Sequence, residues 1–430
     1  MKTITRRARA AALLMTAGVA GAFFYVTSGA QAQSAPRYLF DPTWPKPLPN
    51  KWKMGGVTGL AVDTDDNVWV LNRPNDLRNL ELQAELTPPI ADCCTRPPSM
   101  IHLDKAGNVI GSFDAPQGHG MDVDSQGFVY IGQDTVRKYD PKSGKLVGEV
   151  PRAPDTQGGG GGGRGAAARA PGRGGPGPTG TFPQPAGRGA PDPAAQQKQQ
   201  AAVAAFRATY PPTAPMIVGQ IEEIRIIEPD GEMYVADSYL GGRVMVFDLK
   251  TLAFKRGWGA YGKPLAQIST NDADHDYTPN GPMPKDFAGH LTLNVSNDGL
   301  VYAADRNANR IHVTDKQGAF LKEFIVAPQT GAGGSTGGVA FSPDRQQRFL
   351  FISDLTNDKI WFLNRADGKI VGDMGSRGEN GGLWFGLHMI AVDSQGTIYT
   401  GEVFNGERVQ RFVPADSPKG KILQQVAALR

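Results

Sequence analysis

The chain has 430 residues, with 45 Lys and Arg against 42 Asp and Glu, which allows two or three average domains or one large repeat architecture. A formal net charge of +3 excludes the strongly basic balance of a nucleic-acid partner. The only two cysteines are the adjacent Cys93 and Cys94, which excludes a disulfide framework as the source of stability.

In chain order, the first expected element is a secretory signal over residues 1–32. It has a basic start (Lys2, Arg6, Arg7, Arg9), a small apolar stretch and the A-x-A site Ala30-Gln31-Ala32. Its removal takes away four positive charges and leaves a net charge of −1. The localisation this implies is secreted or periplasmic, with an uncleaved anchor as the alternative. No second long apolar run follows, so stable membrane insertion of the mature chain is not expected. Residues 33–56 read as an N-terminal extension.

From residue 57 to 430 a unit of roughly 40 to 50 residues repeats. Its clearest copy is "GMDVDSQGFVYIGQDTVRKYDPKSGKLVGEV". Each unit reads as a strand, a D-x-x-G turn, a second strand, a turn, a third strand, and a turn into a fourth. The first turns are "DTDDN", "DSQG", "EPDG", "SNDG", "SPDR" and "DSQG"; the second strands are "NVWVLN", "FVYIGQ", "EMYVAD", "LVYAAD", "FLFISD" and "TIYTGE". Short β-branched or aromatic runs between Gly/Asp turns are the mark of strands and hairpins. Six copies predict an all-β, six-bladed propeller of four-stranded blades, because a lone blade cannot bury both of its faces.

Three features interrupt the pattern: the loop 74–98, the insertion 151–215 and the loop 260–288 after the third copy. The loop 74–98 carries Cys93-Cys94, for which a vicinal disulfide ring, a metal-binding pair and a buried pair are all open readings. Residues 151–215 are a low-complexity insertion with six consecutive glycines and seven Arg or Lys against two Asp; it is predicted to be disordered, with a transient helix over Ala194–Ala208.

Three of the six histidines recur at one place in the repeat. His119, His290 and His388 each stand at the start of the first strand, in the second, fourth and sixth copies. His290 and His388 are 98 residues apart, and His119 and His290 are 106 apart once the 65-residue insertion is set aside, so both intervals are two blades. Alternate blades of a six-fold ring lie about 120° apart, and the first strand is innermost, so the three imidazoles converge on the axis. Three neutral imidazoles with a free fourth position are the donor set of a catalytic zinc. The other histidines read as structural: His102 and His312 lie in third strands, and His275 lies in the solvated acidic loop "NDADHD". Asp237, Asp305 and Asp354, which end second strands, read as acceptors in the following turns.

With these residues in place the chain resembles an NHL-repeat propeller, and in its site motifs the peptidyl-α-hydroxyglycine α-amidating lyases (peptidylamidoglycolate lyases). The resemblance runs from about residue 57 to 413 outside the insertion. The blade pattern is shared by many NHL propellers, and the site motifs are more specific. The resemblance implies that His119, His290 and His388 hold zinc. It implies that "VWVLNRP" supplies Arg73, "VADSYLGGRV" supplies Tyr239 and "AADRNANRI" supplies Arg306 as catalytic residues. Strand direction independently places these three on the histidine face. The implied reaction cleaves a carbinolamide, N–CH(OH)–COOH, to an amide and glyoxylate, on a small-molecule or peptide substrate with an α-hydroxy acid end. Tyr239 would act as base or stabilise the alkoxide, and Arg73 or Arg306 would clamp the carboxylate. A structural calcium is also implied, with backbone carbonyls near Val57 and Met121 as ligands; Met389 stands where the family has an acidic ligand. Two other classes compete with this expectation. A non-catalytic binding propeller explains the repeat but not the six-residue constellation, and a calcium-dependent hydrolase needs carboxylate and Asn ligands in the channel.

Overall fold

The computed structural model describes residues 34–154 and 193–428, with only the backbone of 193–200. The signal expected over 1–32 and the part of the insertion at 155–192 lie outside these residues.

Six separate four-stranded antiparallel sheets make up the fold, one per repeat. Blade 1 is Gly56–Val62, Val68–Arg73, Met100–Leu103 and Val109–Phe113. Blade 2 is Met121–Val123, Val129–Gly132, Val136–Asp140 and Lys145–Glu149. Blade 3 is Gln220–Ile227, Glu232–Ser238, Arg243–Asp248 and Phe254–Trp258. Blade 4 is Leu291–Val295, Val301–Asp305, Arg310–Thr314 and Phe320–Ile325. Blade 5 is Val339–Phe341, Phe349–Asp354, Lys359–Asn364 and Ile370–Met374. Blade 6 takes Leu387–Val392, Ile398–Glu402 and Val409–Pro414 from the end of the chain, and its outer strand is Tyr38–Phe40. The first strand of each blade touches the first strand of the next, and that of blade 6 touches that of blade 1, which closes the ring.

The second strands show why the ring must close. Successive side chains of a strand point to opposite faces. Val68 and Val70 pack between blades 6 and 1, while Trp69 and Leu71, their neighbours in sequence, pack between blades 1 and 2. Tyr234 and Ala236 pack against blade 4, whereas Met233 and Val235 pack against blade 2. Six apolar clusters result, one at each blade interface.

Tyr38–Phe40 comes from the stretch read as an extension, and it fastens the ring instead. It pairs with Val409–Pro414. Beside it the fully buried Asp41 accepts bonds from Thr43 N at 3.0 Å, Thr43 Oγ1 at 2.7 Å and Arg411 Nε at 3.1 Å. Disorder was also expected through residue 215, but Pro193–Thr209 is an α-helix. Phe206 packs with Ala153, Ala214 and Val218, and Tyr210 joins them. These aromatic residues supply the apolar surface that the Gly/Arg tract before them lacks.

The minor expectations divide. Asp354 forms the expected turn, accepting from Thr356 N at 3.0 Å and Asn357 N at 2.8 Å. Asp237 and Asp305 instead accept from backbone ahead of their own blade's inner strand, at Gly219 N and Ala288 N, and from the buried Arg243 and Arg310. His275 is buried rather than solvated, with its ring nitrogens 2.7 Å from Phe287 O and 2.8 Å from Ser269 O. His102 stacks on Trp69 and His312 meets Glu323, both structural roles. Cys93 and Cys94 are bonded to each other.

If the Asp41 pair fastens the ring, Asp41→Ala leaves Arg411 facing a buried gap and lowers unfolding stability by about 3 kcal/mol. Ile110→Ala, on an exposed outer strand, changes it by less than about 0.5 kcal/mol. Urea midpoints measure both, and equal midpoints would mean that closure does not depend on Asp41.

Candidate functional site

The site is built at the starts of the inner strands. His119 sits between two glycines that the backbone requires. A Cβ on Gly118 would lie 1.9 Å from Gly132 O, and one on Gly120, at φ +72°, would lie 2.7 Å from Glu222 O. The backbone of "GHG" is thus fixed by close packing, and only the imidazole is free to serve another purpose. His290 and Tyr239 both hold left-handed backbone, at φ 51° and 52°. That conformation costs a non-glycine residue about 1–2 kcal/mol, and it persists where the surroundings over-determine it.

Bulges aim two more side chains. The register of blade 3 skips Glu222 between Ile221 and Glu223, and that of blade 6 skips His388 between Leu387 and Met389. Blade 1 skips Thr58 in the same way. A bulge adds one residue to one strand and redirects its side chain.

The resulting contacts form one cluster. His119 Nε2 is 3.2 Å from His388 Nε2. His119 Nε2 is also 3.1 Å from Glu222 Oε2, and His290 Nδ1 is 3.5 Å from Glu222 Oε1. Tyr239 Oη lies 2.9 Å from His290 Nδ1. Arg306 is buried behind them, and its backbone N donates to His290 O at 3.3 Å. Arg73 closes the cluster with its Nη2 2.8 Å from Asp76 Oδ2. The fields of both guanidiniums reach His119, His388 and Tyr239. The three histidines and Tyr239 therefore meet directly or through Glu222, Arg306 adjoins His290 through its backbone, and Arg73 reaches the cluster through its charge.

The arrangement differs from three imidazoles meeting at a point. His119 and His388 meet, but the Glu222 carboxylate stands between His119 and His290. Among the described residues no three His, Cys, Asp or Glu side chains already surround one centre. Glu222 was missed in the sequence, yet a signal was there. It stands six residues before the "EPDG" turn, as His290 stands six before "SNDG", while His119 and His388 stand five before their "DSQG" turns.

The protonation states suit metal binding. Burial, then the Arg306 charge, brings His290 down to about 4. Burial likewise lowers His119 and takes His388 well below the ordinary imidazole range. Burial alone would raise the Glu222 carboxyl; with the imidazoles neutral, the hydrogen bond to His290 and the Arg306 charge are what hold it below its usual range. Burial and the Glu222 charge push the Tyr239 phenol well above its usual value. The His119 tautomer is fixed as well, because Nδ1–H donates to Glu222 O at 2.8 Å and leaves the Nε2 lone pair facing His388. His388 Nδ1 and Glu222 Oε2 are buried without a hydrogen-bond partner. Neutral imidazoles, an ionised carboxylate and unpartnered buried acceptors are a donor set that fits a divalent metal.

Calcium fits less well. Met389 is buried and apolar, and Met121 O already accepts Arg225 Nη1 at 3.4 Å, so a guanidinium occupies the side where a cation would sit. A cavity of about 420 Å³ opens at the other end of the inner strands, lined by Leu60, Val62, Asp122, Arg225, Asn294 and Val392. It is separate from the histidine cluster.

No family model and no curated protein matches the chain. Among solved structures, a Bacteroides thetaiotaomicron protein of unknown function is 13% identical with a TM-score of 0.48, covering 89% of this chain and 76% of that one. Virginiamycin B lyase from Staphylococcus aureus is 12% identical with a TM-score of 0.41, covering 89% of each chain. Kuenenia stuttgartiensis hydrazine synthase is 13% identical with a TM-score of 0.44, covering 87% of this chain and 80% of that one. At these levels none of the three bears on what the cluster does, which rests on its own residues.

Proposed function

We propose that the chain is an exported, zinc-dependent lyase that cleaves the C–N bond of an α-hydroxyglycine-type carbinolamide to an amide and glyoxylate. The observation that carries this reading is the meeting, at one mouth of the ring, of three neutral imidazoles with a phenol and two guanidiniums. His119, His290 and His388 would hold the zinc. When bound, zinc supplies Lewis acidity that lowers the pKa of a hydroxyl.

The remaining roles follow from the chain's own groups. The Arg306 guanidinium is buried and its Nε has no partner, so it is placed to bind a substrate carboxylate. Arg73, held by Asp76 on blade 1, adds positive field to the histidines and Tyr239. Tyr239 keeps its proton at neutral pH, because burial and Glu222 both oppose the phenolate. It therefore acts as a hydrogen-bond donor, to the developing carbonyl oxygen or to the departing nitrogen, rather than as the base. In the reaction the hydroxyl loses its proton, its oxygen becomes the aldehyde oxygen of glyoxylate, and the C–N pair leaves with the nitrogen, which takes up a proton. Export is supported by the basic and apolar segments and the A-x-A site at residues 1–32.

Metal analysis of purified protein, together with glyoxylate release from an α-hydroxyglycine compound, tests the reading. Stoichiometric zinc and turnover are expected, with both lost in His290→Ala. Arg306→Ala should lose about 1.5–3 kcal/mol of substrate binding, a fall of about 10- to 150-fold in kcat/KM. A metal-free protein that shows no turnover after zinc addition would end the lyase reading.

Acid should release the metal late. An ordinary histidine competes with metal for protons below about pH 6.5. His290 takes up its proton only near 4, and burial lowers His119 and His388 as well, so the free site has less proton to displace than ordinary imidazoles would. Zinc content after dialysis should hold at pH 5.5 and drop as the pH passes through about 4. Half-loss near 6.5 would show that the imidazoles are solvated.

A further inference from the structure

In the scheme above the Glu222 carboxylate only keeps the proton on Tyr239, and it is buried, with 3% of its surface exposed. A bulge in the inner strand of blade 3 turns it toward the three histidines. Its neighbour Glu223 meets Arg225 at 2.9 Å, so the two carboxylates of "EE" have different partners. Glu222 Oε2 lies 3.1 Å from His119 Nε2. His290 and Tyr239 also face the carboxylate, while Oε2 has no aligned hydrogen bond. The reason lies in the same residue: the Glu222 backbone carbonyl takes the Nδ1 proton of His119, so Nε2 meets the carboxylate with a lone pair. His388 Nε2 adds a third donor atom 3.2 Å from His119 Nε2. Without a cation His388 Nε2–H can donate to His119 Nε2, but Glu222 Oε2 and His119 Nε2 are then two acceptors 3.1 Å apart, which repel in a buried site unless they share a cation.

The spacing names the kind of cation. Two ligands at about 2.1 Å from one ion, at octahedral to tetrahedral angles, lie about 3.0–3.4 Å apart. The 3.1 Å and 3.2 Å separations fall in that range, and the 3.5 Å from Glu222 Oε1 to His290 Nδ1 lies just beyond it. We propose that Glu222 is a fourth protein ligand, so that the site is a three-histidine, one-carboxylate centre for a divalent first-row transition ion. This rests on the metal site of the proposed function but not on the lyase step. It has a consequence for coordination. Four protein donors would saturate a four-coordinate ion, as in structural zinc sites, so substrate must enter at a fifth or sixth position. An added carboxylate also favours oxygen-tolerant ions such as manganese, iron(II) and cobalt(II) over the pure imidazole set.

The mature full chain, stripped and reloaded with Co²⁺, tests the assignment through affinity and ligand-field absorption. Glu222→Gln keeps the shape and removes the charge; circular dichroism and the urea midpoint report whether it folds. The wild type is expected to show the weak visible bands of five- or six-coordinate cobalt. Glu222→Gln should bind about 100-fold more weakly or worse, with the stronger bands of a lower coordination number. Unchanged affinity and spectrum in Glu222→Gln would overturn the proposal. If that variant fails to fold, Glu222→Asp, which keeps the charge but shortens the reach, decides it: weakened binding supports the ligand role and unchanged binding overturns it. Glyoxylate release measured in parallel separates the two ideas. A Glu222-dependent spectrum without turnover keeps the ligand and ends the lyase reading, and turnover with a spectrum indifferent to Glu222 does the reverse.

Discussion

Every blade is apolar on both faces, and only a closed ring hides all of those faces at once. The six interfacial clusters carry out this constraint, and the position of the site depends on it. Closure brings six inner strands around one axis and sets their starts at a common mouth. Residues as far apart as His119 and His388 then touch through their ring nitrogens. It also explains why the chain's two ends share a sheet: an open sixth blade would expose both an edge and half an interface, and Tyr38–Phe40 covers the edge.

Closure alone would not direct side chains into the channel mouth, because a regular strand sends alternate residues to the interfaces on either side. Irregular backbone supplies the missing aim. Glu222 and His388 are the extra residues of bulges, His290 and Tyr239 hold left-handed backbone, and His119 sits between glycines whose space is filled by its own blade's second strand and by blade 3. The apolar clusters hold these departures in place, so local strain at the mouth is offset by packing at the interfaces.

The repeats made the propeller legible, because turn residues and β-branched runs are local signals. The histidines were legible because imidazole is rare in this chain and recurred at two-blade intervals. Glu222 was hidden by its chemistry: one Glu in "QIEEIRIIEPDG" looks like any charged residue of a strand, and only its distance from the turn marks it as the counterpart of His290. Strand closure by Tyr38–Phe40 had no signal, since three residues carry no periodicity and the partner strand lies at the other end of the chain. The helix at 193–209 was hinted at by its alanines, but its docking depended on Phe206 and Tyr210, whose partners come from either side of the insertion.

Charge balance ties the cluster to a class of ligand. Arg73 and Arg306 bring two positive charges to the mouth, and Asp76 and Glu222 bring two negative ones. The imidazoles, depressed by burial, add none. These four side chains sum to zero, and a divalent cation among the donors would leave an excess of two positive charges in this buried site. Such an excess is costly unless it is matched. A ligand that presents one carboxylate and one hydroxyl able to give up its proton matches it, and it does so fully only once the hydroxyl is ionised. A neutral alcohol or a simple carboxylate leaves charge uncompensated. With zinc bound as proposed, the cluster would favour an α-hydroxy acid over either of its halves, and the ionised form toward which the proposed C–N cleavage must pass.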